Sequence, residues 1–483
     1  MSWGSLLVRM GGFMLLLPLV LRLFTTEEVL IWQLLSTLTL IIAWIDFGFG
    51  PTFTRLVAFS RGGGTLRELE RTLPMQGVSN DSLAADEPLQ LGAVLGTQRR
   101  VYLWLALAGT ALAAIGGTAA LVEPIGKLHD SSDGWTAWGL TLATSLLTLL
   151  NTYNSSVIIG FNHIARIRRL EMVVGGMQLA AGALAVAFGG GLAMLAATSL
   201  VGAIVMLAIS HRLAQDCFGR EDRIWFAPGI LHVVWPAAWR AGLGSMLGAG
   251  VIQMSGIIVA QVAEAAEAAS YLVALRMLSI LAQVANVPLY TKLPLLSELR
   301  AERNVPAIRT IAARGMRWTA WIQVSGSQAL IWIAPLLLHL IGSSVEMPAA
   351  RIVALMALAQ FVERYASMHL QIYTTTNHVL WHVAAGISGV LNLILFAVLI
   401  PFLGILGVPL AMLVGTGVFN AVFSSRLSLR SMETDRRHFD LRVFLAPLLV
   451  LCVGIAAALQ AEQLGLFDYY AGLNSADLQA IWR

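Results

Sequence analysis

Charge and cysteine are both scarce in this sequence. Asp, Glu, Lys and Arg make up 12% of 483 residues, about half the share of a soluble domain. A chain this poor in charge cannot clothe a large water-facing surface, which excludes an ordinary soluble globule. Only two cysteines occur. Cys217 falls in a polar gap and Cys452 inside a long apolar run. They cannot pair, and no metal-ligand spacing exists. No cofactor or metal is expected. A basic tract for nucleic acid is missing too. The net charge of +4 is scattered through gaps between apolar runs, where it acts as an orientation signal.

What the chain has is hydrocarbon. It is 57% hydrophobic, with a mean hydropathy of +0.75. About thirteen apolar stretches occur, near 5–24, 29–50, 101–122, 135–156, 170–189, 191–210, 241–261, 269–290, 318–341, 352–372, 382–402, 404–424 and 443–460. Roughly 20 apolar residues cross a bilayer core. The fold class expected is all-α and polytopic. Alternate gaps are rich in arginine: Arg55 to Arg100, Arg166 to Arg169, Arg212 to Arg223, Arg300 to Arg317, Arg426 to Arg437. Cytoplasmic loops carry that excess, so the N-terminus is inside and the tail after 460 outside. The first stretch has no small-residue cleavage site and is read as a retained helix.

Two halves echo each other. Leu192-Ala193-Met194-Leu195 recurs as Leu410-Ala411-Met412-Leu413, Asn162-His163 as Asn377-His378, and Glu28 with Trp32 as Glu267 with Tyr271. Six spans per half preserve orientation, so the repeat is parallel, about an axis along the membrane normal. Two such bundles can rock about a central cavity, which is a transporter's architecture. The expected organisation is an N-terminal six-helix lobe at 1–211 with a long inside loop at 60–98, a linker at 212–240, a second six-helix lobe at 241–430, and an extra span with an interfacial tail at 431–483.

Polar residues fall on these spans in steps of three and four. The eighth span carries Arg276, Ser279, Gln283, Asn286 and Tyr290. The tenth carries Gln360, Glu363, Arg364, Ser367 and Gln371, and the fourth Thr141, Thr144, Thr148, Asn151 and Ser155. The second offers Ser36, Thr39 and Asp46. Each is one wet face on an apolar rod, which favours a cavity lining, although any single hydroxyl can equally serve helix–helix contact. Gln253 lies near glycines 244, 248 and 256, which are read as close packing. Arg9, Arg55 and Arg240 can snorkel toward the inner mouth. Arg276 and Arg364 cannot, and arginine grips phosphate with two donors at once. More arginine than carboxylate in the spans points to an anionic substrate.

The run Trp44-Ile45-Asp46-Phe47-Gly48-Phe49-Gly50 with Thr54-Arg55 resembles the second-helix signature of bacterial polysaccharide repeat-unit flippases. So do Trp235-Pro236-Ala237-Ala238-Trp239-Arg240, Ala269-Ser270-Tyr271 and Leu293-Pro294. These flippases are a branch of the multidrug/oligosaccharidyl-lipid/polysaccharide (MOP) exporter superfamily. The resemblance covers twelve helices, from 1 to about 428. It implies transfer of an undecaprenyl-diphosphate-linked oligosaccharide across the inner membrane by alternating access. Membrane lipids, and the polymerase and chain-length machinery of polysaccharide synthesis, would be partners. Asp46 matches the signature acid.

Substrate contacts are therefore expected at Arg276, Arg364, Arg9, Arg55, Arg240, Gln253, Gln283, Asn286, Asn151 and Gln360. Glu363 is the expected proton-linked group, since neighbours one apart on a helix do not face each other and Arg364 would leave it unpaired. Asp46 is expected as an inner-gate ion pair with Arg55 or Arg9. A cation-coupled multidrug exporter or a lipid II flippase shares the fold and stands as the alternative. A polymerase or glycosyltransferase would need an acid, a base and an arginine gathered on an outer loop, and the outer loops here are short. Two departures from the family stand out: the long 60–98 loop, which opens on a capping box at Thr65 to Glu68, and a single extra span, with 462–483 too polar to cross.

Overall fold

The computed structural model describes residues 16–46, 48–63, 89–217, 224–376 and 380–465, and every regular element among them is a helix. Residues 16–23 are helical. Then follow α1 (Thr26–Ala43), α2 (Phe49–Arg61), α3 (Leu91–Gly126), α4 (Ser131–Gly160), α5 (Ile164–Ala187), α6 (Leu192–Gln215), α7 (Pro228–Val262) and α8 (Ala265–Tyr290). The rest are α9 (Leu293–Ala301), α10 (Val305–Trp332), α11 (Ala334–Leu340), α12 (Ala350–Thr374), α13 (Trp381–Leu403), α14 (Gly407–Gly415), α15 (Val422–Ser431), α16 (Arg436–Val443) and α17 (Leu445–Gln463). The Thr65 capping box, the segment after it, and the tail beyond 465 lie outside the described residues.

Among the described residues, seven helical stretches are long and apolar enough to cross a membrane, eight if α10 and α11, bent by 48°, count as one span. Most of the stretch at 5–24 lies outside the described residues; the rest of the difference from thirteen has physical causes. Trp381–Ser431 reads as one apolar stretch, but Gly404, at φ 56°, turns the chain so that α13 packs back on α14. There Gly407 lies so close that a Cβ would meet the Leu399 carbonyl carbon at 2.8 Å. α4 and α12 carry the polar stripes, which lower their hydropathy. α7 qualifies as a shorter apolar helix, over Gly250–Val262.

The chain divides into two compact units, Met1–Phe24 with Leu34–Met246, and Thr25–Gln33 with Leu247–Arg483. In the first, α4 packs along α6 and against α3, and Phe49, Phe53 and Leu56 of α2 join Val94, Leu95 and Tyr102 of α3 in a buried core. Helix α3 begins ten residues before the apolar stretch at 101. Its 36 residues reach about 54 Å, well past a core of roughly 30 Å. The early turns hold because residues 224–227 run along them. Trp225 N–H donates to the Gly92 carbonyl (3.3 Å) and Ala227 N–H to Thr97 Oγ1 (3.0 Å). A Cβ on Gly96 would fall 2.1 Å from the Trp225 carbonyl oxygen. Residues 91–98, read as loop, and 228–240, read as linker, are thus helical.

In the second unit α10 packs on α8, α12 and α17 around Met316, Val324, Phe361 and Leu451. The extra helix α17 is built into this unit. Gln328 Nε2 donates to the Leu451 carbonyl (3.2 Å), and Glu462 Oε1 accepts the Ala350 N–H (3.0 Å), capping the positive end of α12. The connection leading to it is pinned by arginines. Arg300 donates to the Ser431 carbonyl (2.5 Å), Arg309 to those of Met432 (2.9 Å) and Glu433 (2.8 Å), and Arg317 to that of Arg442 (3.1 Å). Carbonyls ending a helix have no partner within it, and these side chains supply one.

Candidate substrate site

Helices α8 and α12 bring two polar stripes together in the second unit. They pack on each other, and Gln371 Nε2 donates to Asn286 Oδ1 at 3.2 Å. Along α12, Arg364 lies about two turns before Gln371, and along α8, Arg276 nearly three turns before Asn286. Both arginines are half-buried, and the Nε of each is shut off from the exterior. The Arg364 side chain is 11% exposed. Gln360, one turn before it, is half-buried, and Ser367, beyond it, is buried and donates to the Arg364 carbonyl at 3.3 Å.

Arg364 Nη2 lies 3.5 Å from Glu363 Oε2. This corrects the expectation that Glu363 stands unpaired. Adjacent positions diverge by about 100° on a helix, but two long side chains can curl across that angle. Among the described residues Glu363 is the one partner of Arg364. A guanidinium has five donors, so one long contact leaves most of them for a ligand.

The other expected contacts are dispersed. Gln283 is exposed and turns back to the Ser279 carbonyl (3.4 Å). Gln253 is half-buried on α7, whose Gly256 packs so closely on α8 that a Cβ would meet Leu272 Cδ2 at 2.5 Å. Asn151 is buried between α4 and α6, accepting from the Ser210 hydroxyl, which in turn takes a hydrogen bond from Asn154 (3.3 Å). Arg55 is exposed on α2. Arg9 and the Arg240 side chain lie outside the described residues.

Asp46 sits where the second span breaks. Gly48, at φ 72°, takes a left-handed turn between α1 and α2, a conformation that glycine adopts without strain. The Asp46 carboxylate accepts from Tyr102 Oη (2.6 Å) and from the Gly50 N–H (3.1 Å). No ion pair joins it to Arg55 among the described residues. The acid caps the broken helix because an N–H freed at the start of α2 needs an acceptor; the Arg55 ion pair is corrected accordingly.

A cluster beside the stripe escapes the sequence pattern. Tyr365 Oη donates to Asp440 Oδ2 at 2.9 Å, Arg436 Nε lies 3.4 Å from the same oxygen, and the fully buried His369 has Nε2 4.0 Å from Asp440 Oδ1. Tyr365 meets the His369 and Phe444 rings edge-on, at 4.6 and 4.9 Å. Burial raises the Asp440 carboxyl above its ordinary value, and the bonds from Tyr365 and Arg436 hold it back. Tyr365 and His369 share a face of α12, a signal the sequence does carry. Asp440 comes far later, on α16, and no spacing ties it to them.

Neither a family model nor a characterised protein sequence matches the chain. Solved structures do. An inward-facing multidrug resistance MATE family transporter of the MOP superfamily is similar at a TM-score of 0.65 and 13% identity, over 89% of this chain and 94% of that one. The lipid II flippase MurJ, in an inward closed conformation, gives 0.61 and 13%, over 100% of this chain and 98% of that one. A MOP superfamily transporter from Pyrococcus furiosus gives 0.57 and 12%, over 89% and 94%. Likeness at such low identity is likeness of fold: this chain is a multi-span helical membrane protein with the fold of the MOP superfamily transporters.

Proposed function

We propose that the chain is a flippase that carries an undecaprenyl-diphosphate-linked oligosaccharide across the bacterial inner membrane by alternating access, with its N-terminus in the cytoplasm. Arg364 carries the reading. It is a membrane-embedded guanidinium, 11% exposed, on the polar stripe of α12, with Arg276 on the adjoining stripe of α8. A fixed cation at that depth is costly unless an anion uses it, and its planar fork suits a diphosphate. The sugar would meet Gln360, Asn286 and other neutral polar groups, while the lipid tail stays in the bilayer. Fold likeness to a lipid II flippase is consistent with a lipid-linked substrate.

Glu363 is the coupling group in this scheme. It lies 3.5 Å from Arg364 Nη2, so a diphosphate held by the guanidinium would meet the same pair. The alternative, a cation-coupled multidrug exporter, draws on the fold likeness to multidrug transporters. An arginine-bearing stripe opposes a cationic substrate. The test is translocation in proteoliposomes. Fluorescent undecaprenyl-diphosphate oligosaccharide should reach the far leaflet only with protein present. Transport of cationic drugs without movement of the lipid-linked sugar would overturn the proposal.

A further inference from the structure

The first unit holds an apolar slot that the transport scheme leaves unused. It has a volume of about 280 Å3. Its cause lies in the connection before α7. Residues 224–227 are hydrogen-bonded to the first turns of α3. From Pro228, α7 adds Ile230, Val234 and Ala238 to the buried core that holds Val94, Leu95 and Tyr102 of α3, and beside that core a gap stays open. The wedge left between the two helices is walled by Val101 and Trp104 of α3 and by Leu231 and Trp235 of α7, with the buried Phe49 as its floor. The Trp235 ring sits 6.0 Å from that of Phe49.

At the mouth of the slot stands Arg100. Its guanidinium lies over the Phe226 ring, 5.0 Å from the centroid, a contact that fixes a cation while leaving its N–H edge open. Arg100 is exposed, and among the described residues no carboxylate pairs with it. Arg100 directly precedes the apolar stretch of α3. Trp104 and Trp235 are 63% and 55% exposed, and indoles favour the membrane–water boundary. The slot therefore lies at headgroup depth, on the side of the arginine-bearing loops.

We propose that this slot binds one anionic phospholipid, its phosphate on Arg100 and one acyl chain between Trp104 and Trp235. The charges match one to one: a phosphodiester carries a single negative charge and the mouth offers a single arginine. The walls are almost wholly apolar, which suits a chain and offers nothing to a sugar. A diphosphate carrier lipid would place more charge on the mouth than one arginine answers. Arg99 does not line the slot.

Native mass spectrometry of the purified full chain tests this. The probes are equimolar phosphatidylglycerol, phosphatidylcholine and undecaprenyl phosphate. The parent protein should retain phosphatidylglycerol over phosphatidylcholine. Arg100→Gln should lower that retention about fivefold, the share of one arginine near a lipid surface, and Arg100→Lys should largely keep it. Leu231→Trp, which fills the slot, should abolish it. Arg100 is exposed, so its variants keep the fold and decide the matter should Leu231→Trp melt early. Retention of phosphatidylglycerol unchanged in Arg100→Gln would overturn the proposal. So would preferential retention of undecaprenyl phosphate that Arg100→Gln reduces, since the occupant would then be the carrier lipid.

Discussion

On α4 the polar residues turn back into the protein. Thr141, Thr144 and Thr148 donate to the carbonyls of Ala137, Leu140 and Thr144, each at 2.8 Å, and the amides of Asn151 and Asn154 converge on Ser210 of α6. On α12 they do not. Arg364 has one long contact with Glu363, and Gln371 reaches across to α8. Both helices show polar groups at the same three- and four-residue steps. The difference lies in side-chain chemistry. A hydroxyl can satisfy itself on the carbonyl one turn back. A guanidinium with five donors cannot, and it stays available for an anion.

The largest effect should come from the charges. Arg364→Gln is expected to lower translocation of lipid-linked oligosaccharide in proteoliposomes on the order of a hundredfold, as loss of a buried charge contact does. Arg364→Lys should recover part of it, because lysine lacks the fork. If the Gln variant transports at the parent rate, α12 is as structural as α4 and the contrast between them disappears.

Next comes the amide network of α4. Asn151→Ala should cost about 1 kcal/mol, the scale of an interhelical hydrogen bond in a membrane, seen as a lower Tm in detergent. Transport per folded molecule should stay at the parent level. A transport defect in stable protein would move Asn151 into the substrate site. Thr144→Val should be smaller still, within roughly 0.5 kcal/mol, since it removes one hydroxyl, and the Leu140 carbonyl that hydroxyl answered keeps its helical N–H partner.

The smallest expected effect concerns pH. The Asp440 carboxyl is raised in the fold, chiefly by burial. A raised acid favours the folded state when protonated. Its contribution is full below the ordinary carboxylate value and fades as pH climbs through the raised one. Stability of the parent should therefore rise slightly on mild acidification, and Asp440→Asn should flatten that rise. Tm measured against pH in both proteins would show it. Equal slopes would mean that Tyr365 and Arg436 fully offset burial.

The polytopic helical architecture was legible because hydropathy and arginine placement follow directly from what a bilayer tolerates. Arg276 and Arg364 stood out for the same reason: a charge within a span is conspicuous in an apolar background. That Glu363 would stand unpaired was misjudged because angular spacing says where a Cα–Cβ bond points and nothing about how far a long side chain bends. The pairing of Asp46 with Arg55 was misjudged because the helix break at Gly48 shows only as a backbone angle.

By itself, then, the sequence determined which segments lie in hydrocarbon and which of their residues cannot rest there alone. Those are local energies of transfer, additive along the chain. Tertiary structure decided who answers those residues. It set Tyr102 on Asp46, Ser210 on Asn151, and Asp440 beside Tyr365 and His369. It also anchored α17 through Glu462 and Gln328. These pairings join residues far apart in the chain, and geometry at the 3 Å scale selects them. No periodicity along one helix records which partner another helix will bring.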